Sequence, residues 1–111
     1  MAKPVVGDVV VVPFPFSDLS GLKRRPALVL AALDGDDLVL CMITSRPVSD
    51  RYAVALNNVD FDSGGLPVPS NIRPSRLFTA HSSLCISVAG HVKPELLDVT
   101  LDALRTIFEA R

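Results

Sequence analysis

Short apolar runs alternate with turn-rich breaks along most of the chain, and the period changes only near the C-terminus. Val9 to Val12 is a β-branched run and predicts a first strand, because branched side chains pack well on a pleated surface. Pro13 and Pro15 bracket Phe14 behind it, and prolines are confined to strand ends, edges and bulges. Ser17-Asp18-Leu19-Ser20-Gly21 then breaks the pattern with turn residues. Lys23-Arg24-Arg25 forms the basic exit of that loop, and Pro26 to Leu30 resumes an apolar strand that the pattern carries to Leu33. Asp34-Gly35-Asp36-Asp37 predicts a hairpin turn. Leu38 to Ile43 is apolar without alternation, so a third strand with both faces buried is expected. Thr44-Ser45-Arg46-Pro47 ends it with two hydroxyls and a cation.

Tyr52 to Leu56 predicts a fourth strand. Asn57 to Asn71, with Gly64-Gly65, Pro67 and Pro69, reads as a long loop, and long loops in compact domains are usually functional or mobile. Ile72 to Thr79 predicts a strand interrupted by Pro74, and Leu84 to Ala89 another, closed by Gly90. The last segment is helical. Pro94 suits a first helical position and Glu95 the positive end of the dipole. Leu97, Leu101, Leu104 and Phe108 recur at spacings of four, three and four, with Ile107 widening the stripe. That stripe serves either to pack on the sheet or to dock a partner subunit. Closely spaced strands, hairpin turns and no long crossover predict a mainly β protein, a small barrel with one C-terminal helix. Closing such a barrel would remove exposed strand edges.

The length of 111 residues fits one domain spanning 1–111. With 49% hydrophobic residues, the chain can bury a real core and disorder is not expected. There is no Trp and a single Tyr, Tyr52, which argues against an aromatic stacking platform for single-stranded nucleic acid. The formal net charge of −1 makes the whole molecule no magnet for polyanions. Its distribution is more informative. Lys23, Arg24, Arg25, Arg46, Arg51, Arg73 and Arg76 precede Asp98, Asp102 and Glu109. A short charge run is ordinarily solvated surface, yet a local basic patch binds phosphate even on a neutral molecule. Arginine suits planar, two-pronged contacts to it.

Cys41 and Cys85 sit in apolar runs and read as small buried hydrophobes, with no metal-ligand spacing between them. Neither a signal-peptide pattern nor an apolar run of membrane-spanning length is present, so a soluble cytoplasmic protein is expected. Phosphate-cradling glycine loops, His-Glu-x-x-His and Cys-x-x-Cys are all missing. His81 and His91 stand in different contexts, Asp34, Asp36 and Asp37 lack the spacing of a calcium loop, and Asp60 and Asp62 read as solvated turn formers. No metal or cofactor is expected. What remains is cations and hydroxyls at strand ends. If the second and third strands pair through the Asp-Gly hairpin, the register brings Arg25-Pro26 close to Thr44-Ser45. An Arg beside a hydroxyl suits a phosphate whose charge rises during reaction. Without catalysis the same pair would be an anion niche or a polar rim.

The sequence resembles the PemK/MazF family of type II toxin–antitoxin toxins. The resemblance rests on Gly7-Asp8-Val9-Val10, Pro13-Phe14-Pro15-Phe16 with Asp18, and Lys23-Arg24-Arg25-Pro26-Ala27-Leu28-Val29-Leu30. It continues through Ile43-Thr44-Ser45, Pro69-Ser70-Asn71-Ile72-Arg73, Leu77-Phe78-Thr79, Gly90 and Pro94-Glu95. The pieces cover nearly the whole chain in order. The resemblance implies an SH3-like barrel with a C-terminal helix, usually a homodimer. It also implies metal-independent, sequence-selective cleavage of single-stranded mRNA, which blocks translation, and an antitoxin whose C-terminal segment covers the RNA site. Arg25 matches the family's catalytic Arg before Pro, Thr44 its catalytic Thr or Ser, and Arg73 a basic residue that some PemK-like members use in catalysis. Such members carry an acidic residue two positions after that Arg, where this chain has Ser75. Lys23, Arg24, Ser45, Arg46, Ser70, Ser75 and Arg76 are the expected substrate-binding residues.

Metal-independent RNA cleavage uses the substrate's own 2′-hydroxyl as nucleophile on the adjacent phosphate and leaves a 2′,3′-cyclic phosphate. Arg25 and Thr44 suit stabilisation of the crowded dianionic intermediate. Arg is a poor general base, because it stays protonated. With few aromatics, RNA would be held by phosphate contacts and base-edge hydrogen bonds. Two rival readings stand beside this one: a CcdB-like toxin that binds gyrase without catalysis, and an SH3-like binding module. The first depends on C-terminal residues rather than an Arg-Pro motif. The second ordinarily needs an aromatic-rich surface.

Overall fold

The computed structural model describes residues 3–15 and 22–110, and the predicted Ser17–Gly21 loop lies outside the described residues. Among the described residues, seven strands and one helix follow in order: β1 (Asp8–Pro15), β2 (Leu22–Ala32), β3 (Asp37–Thr44), β4 (Val54–Leu56), β5 (Phe61–Gly64), β6 (Ser70–His81), β7 (Ser87–Val92) and α1 (Pro94–Glu109). All ladders are antiparallel and form one curled sheet in the order β4-β6-β3-β2-β1-β7-β5. The fold is mainly β with a C-terminal helix, as the patterning predicts. The hydrogen-bond ladder curls without closing. Its end strands β4 and β5 are only three and four residues long, and short edges offer little to a stray strand.

Alternation along the strands gives the sheet two apolar faces. Val9, Leu28, Cys41, Ile43, Leu56 and Ile72 lie on the face that α1 covers through Leu96 and Leu97. Val10, Val12, Ala27, Val29, Leu38 and Leu40 lie on the other, closed by Cys85, Phe14 and Phe78. The rings of Phe14 and Phe78 meet edge to face at 4.7 Å. β3 contributes to both faces, with Leu38, Leu40, Cys41 and Ile43 all fully buried, in agreement with its unalternating sequence. Each such side chain contributes about 1.5–3 kcal/mol relative to exposure.

Four sequence expectations change. β2 begins at Leu22, so Lys23-Arg24-Arg25 is strand rather than loop. Phe14 pairs with Lys23 and Pro13 with Arg24, so the β1 ladder stiffens the basic segment. The predicted 57–71 loop contains a 3₁₀ turn, Asn58–Asp60, and then β5, which pairs with β7. Asn57 N donates to Asp60 Oδ2 at 2.8 Å, so Asp60 is a capping group. The last strand runs Ser87–Val92, while Leu84 closes a 3₁₀ turn, Ser82–Leu84. On α1 the buried positions are Leu96, Thr100 and Leu104, and Phe108 is 66% exposed. The helix rests on the sheet through its earlier turns, so the stripe predicted to end at Phe108 is displaced by one residue at its start and runs out into solvent at its end.

Bulges make the curl. Ala27, Leu28 and Val29 face Met42, Cys41 and Leu40, but Ala31 faces Val39, which leaves Leu30 as the extra residue. In β6 the irregularity is larger: Leu77 faces Cys41 and Arg73 faces Met42, so Pro74, Ser75 and Arg76 bulge out. Pro74 has no N–H to lose there. The carbonyl of Arg73 accepts a hydrogen bond from Cys41 Sγ at 3.0 Å.

Candidate active site

The Asp-Gly hairpin sets the geometry that matters. Ala27 faces Met42, and two residues further along each strand stand Arg25 and Thr44. On the other side of β3, Met42 faces Arg73 and Thr44 faces Asn71. Side chains opposite one another share a face. Arg25, Thr44 and Arg73 therefore project from three adjacent strands on one face of the sheet. It is the same face that carries Ala27, Val29, Leu38 and Leu40 further along. The apolar residues of that face are buried beneath Phe14 and Phe78 and the polar ones emerge where β2 and β6 begin and β3 ends.

Thr44 is only 8% exposed. Its Oγ1 accepts the backbone N–H of Arg46 at 3.2 Å, which leaves the hydroxyl proton available as a donor. Arg73 is anchored from the β3–β4 connection: its guanidinium lies 3.7 Å from Asp50 Oδ2, and its Nε is buried without a hydrogen-bond partner. Asp50 is held on every side. Ser75 Oγ donates to Oδ2 at 2.6 Å and Tyr52 N donates to Oδ1 at 2.9 Å. The Ser75 hydroxyl foremost, then the Tyr52 amide, with Arg73 assisting, hold this carboxyl below its ordinary range.

At the Arg25 end of the sheet, on the side of the other face, which carries Ile43, opens a cavity of about 310 Å³. Its walls are apolar at Val11, Ile43, Leu66 and Val68, and Arg24, Arg25, Ser45 and Ser70 supply its polar groups. The structure thus gathers Arg25, Thr44 and Arg73 on one face, and Arg24, Ser45 and Ser70 around a cleft on the side of the other, with Arg25 lining that cleft as well. Lys23 and Arg46 are exposed on the flanking strand and connection, and Ser75 and Arg76 sit on the β6 bulge. Ser75 is exposed, and its hydroxyl is engaged with Asp50. Sequence reasoning missed Asp50 and the cleft residues Leu66 and Val68. The signal for Asp50 was weak, a lone carboxylate six residues beyond Thr44 in a connection with no period.

The histidines serve elsewhere. His91 Nδ1 lies 2.8 Å from Asp8 Oδ1, and Asp8 Oδ2 accepts Val5 N at 2.9 Å, so the Gly7-Asp8 start is a clasp on β7. His81 lies 3.7 Å from Asp36. Cys41 and Cys85 are buried free thiols. Among the described residues no group of three or more His, Cys, Asp or Glu could hold a metal ion, and no helix is long and apolar enough to cross a membrane.

The architecture has counterparts of known structure. A chain in a MazE–MazF complex from Deinococcus radiodurans superposes with a TM-score of 0.78 at 19% identity, covering 100% of both chains. A mycobacterial endoribonuclease in complex with its cognate antitoxin gives 0.77 at 17% identity, over 97% of each chain. The Mycobacterium tuberculosis toxin MazF-mt6 gives 0.73 at 16% identity, over 94% of this chain and 98% of that one. No curated protein matches the sequence. At these identities the likeness is one of fold. The sequence itself goes further: residues 6–108 match the family model described as PemK-like, MazF-like toxin of type II toxin–antitoxin system. From the Gly7-Asp8 clasp through the Arg25 strand to α1, the chain belongs to the PemK-like, MazF-like toxins of type II toxin–antitoxin systems.

Proposed function

We propose that this protein is a metal-independent endoribonuclease that cleaves single-stranded mRNA, with Arg25, Thr44 and Arg73 at its reaction centre. The observation that carries the reading is the register: three adjacent strands bring two guanidinium groups and a nearly buried hydroxyl to one face. The O2′ of the nucleotide attacks the neighbouring phosphorus, and the phosphate gains a negative charge on the way to the pentacoordinate state. Arg25 and Arg73 offset that charge, and Thr44 donates a hydrogen bond to a non-bridging oxygen. Low exposure at Thr44 strengthens the bond by excluding competing water. Arg24, Ser45 and Ser70 hold the flanking backbone and base edges in the cleft. The substrate class places the activity in the cytoplasm.

The cleft also supports a partner. Apolar walls at Val11, Leu66 and Val68 beside Arg24 and Arg25 suit a disordered antitoxin segment that carries apolar anchors and acidic residues and orders on binding. Such a segment competes with RNA for Arg25. A homodimer fits the exposed apolar residues Leu84, Ile86 and Val88, at 48, 44 and 42% exposure. β3 offers less to that contact, since within one chain Leu38, Leu40, Cys41 and Ile43 are buried and Val39 and Met42 partly so.

The test is a long mixed-sequence RNA incubated with purified protein in excess chelator. Cleavage should persist and the upstream products should end in 2′,3′-cyclic phosphate. A substrate with 2′-deoxy at the scissile nucleotide should be inert. Cleavage that vanishes with chelator, or that proceeds on the deoxy substrate, would refute the mechanism.

A further inference from the structure

Transesterification needs a group that takes the 2′-hydroxyl proton, and the residues assigned so far cannot. Arg25 and Arg73 stay protonated, and Thr44 is a donor whose oxygen already accepts the Arg46 amide. Neither histidine is in reach by topology: His91 is bound to Asp8 on the far ladder and His81 stands at the opposite end of β6. Among the described residues, one carboxylate is built into the centre. Asp50 sits 3.7 Å from the Arg73 guanidinium and 2.6 Å from Ser75 Oγ, and its side chain is 12% exposed. Its own turn is closed, since Ala53 N donates to Asp50 O at 3.1 Å and Tyr52 N to Oδ1 at 2.9 Å. The side chain is therefore positioned before substrate arrives, by three partners from two segments of chain.

Resting on the proposed ribonuclease function, we infer that Asp50 is the proton acceptor of the reaction, held in place by Ser75 and Arg73. As O2′ bonds to phosphorus, its proton passes to an Asp50 oxygen. The P–O5′ bond then breaks, and the 5′ oxygen leaves with a proton from solvent water. Asp50 returns its proton to the hydroxide so formed, and no co-reactant is consumed. An ionised carboxylate has lone pairs beyond those Ser75 and Tyr52 use, so its anchoring does not block this role. Arg73 is the charged group that faces it, from β6, and the Ser75 hydroxyl and Tyr52 amide complete its polar contacts among the described residues. The β6 bulge thereby acquires a purpose: it turns Ser75 toward the β3–β4 connection that carries Asp50.

The experiment measures single-turnover cleavage of RNA against pH for wild type, Asp50→Asn and Ser75→Ala. Asn is isosteric: its Oδ1 can still accept from Tyr52 N and its Nδ2 can donate to Ser75 Oγ, and a thermal melt checks each fold. Asp50→Asn should cut the rate at neutral pH by about 10²–10⁴-fold, the usual worth of a general base. Its residual rate should climb about tenfold per pH unit, as hydroxide replaces the lost base, while the wild type stays flat. Ser75→Ala removes a hydrogen bond to the ionised form, so the acid limb should move to higher pH. A structural role for Asp50 would lower the rate without changing either profile. Wild-type rates in Asp50→Asn, or a slow variant with the wild-type pH dependence, overturn the assignment. So does an unmoved acid limb in Ser75→Ala. Wild-type protein inert on RNA overturns the ribonuclease reading itself, which separates the two failures.

Discussion

Removing the Arg25 guanidinium is the sharpest perturbation of the proposed reaction centre. Arg25 is half-buried and pairs with Val12 of β1, two residues before the stretch where β2 is paired on both sides. In the transition state the phosphate carries one more negative charge than in the bound substrate. Two unit charges about 4 Å apart interact by about 4 kcal/mol at an effective dielectric near 20. Partial exposure reduces this, to about 3–4 kcal/mol. At about 1.4 kcal/mol per factor of ten, Arg25→Ala should lower the cleavage rate by about 10²–10³-fold, the range seen when one preorganised donor is removed. The effect should appear in kcat, because the ground-state phosphate feels less of it. Arg25→Lys separates charge from shape. It keeps the charge but not the planar fork, so it should recover only a small part of the loss. The assay is steady-state cleavage of a defined RNA, with circular dichroism to confirm the fold. Full activity in a folded Arg25→Ala protein would refute the electrostatic reasoning.

Four further outcomes follow from the geometry. Thr44→Val, nearly isosteric at a buried site, should slow cleavage by about 1–3 kcal/mol in barrier through one lost charge-assisted hydrogen bond; an unchanged rate counts against a role for the hydroxyl. Because the Asp50 carboxyl is held below its ordinary value, its contribution to stability is complete above about pH 4 and is lost as pH falls through the depressed value. Urea unfolding should show the wild-type advantage over Asp50→Asn shrinking toward acid pH; a constant gap contradicts the linkage. Burial pushes the Cys41 thiol up to about 12 and raises Cys85 as well, so alkylation near pH 8 should label both only after denaturation, as mass spectrometry would show. Gly64 has φ +67°, and an added Cβ would lie 2.2 Å from the Ala89 carbonyl oxygen, whereas Gly35 has φ +79° with open space around it. Gly64→Ala should therefore cost well beyond the ~1–2 kcal/mol of a left-handed residue, and Gly35→Ala about that amount; equal melting temperatures would contradict the close approach of β5 to β7.

Local chemistry made much of this molecule legible from the chain. The unalternating run Leu38 to Ile43 is a strand with buried residues on both faces because every position in it carries an apolar side chain. Asp34-Gly35 is a turn because Gly35 can take a positive φ; counting along the hairpin it closes brings Arg25 to the Thr44-Ser45 end of β3, and the Leu30 bulge selects Thr44 as the residue opposite. Pro94 starts the helix because its missing N–H costs nothing at the first turn. Tertiary structure decided what no local pattern encodes. The polar stretch around Asp62 became β5 only because β7 supplied its ladder partners, and Lys23 to Arg25 became strand only because the proline-containing end of β1 lies alongside. Helical spacing offered several overlapping stripes on α1, and the curvature of the sheet chose the one through Leu96, Thr100 and Leu104. Asp50 joins Arg73 and Ser75 across more than twenty residues of chain. A bulge in one strand and a turn after another bring them together, and such a meeting exists only once the sheet has curled.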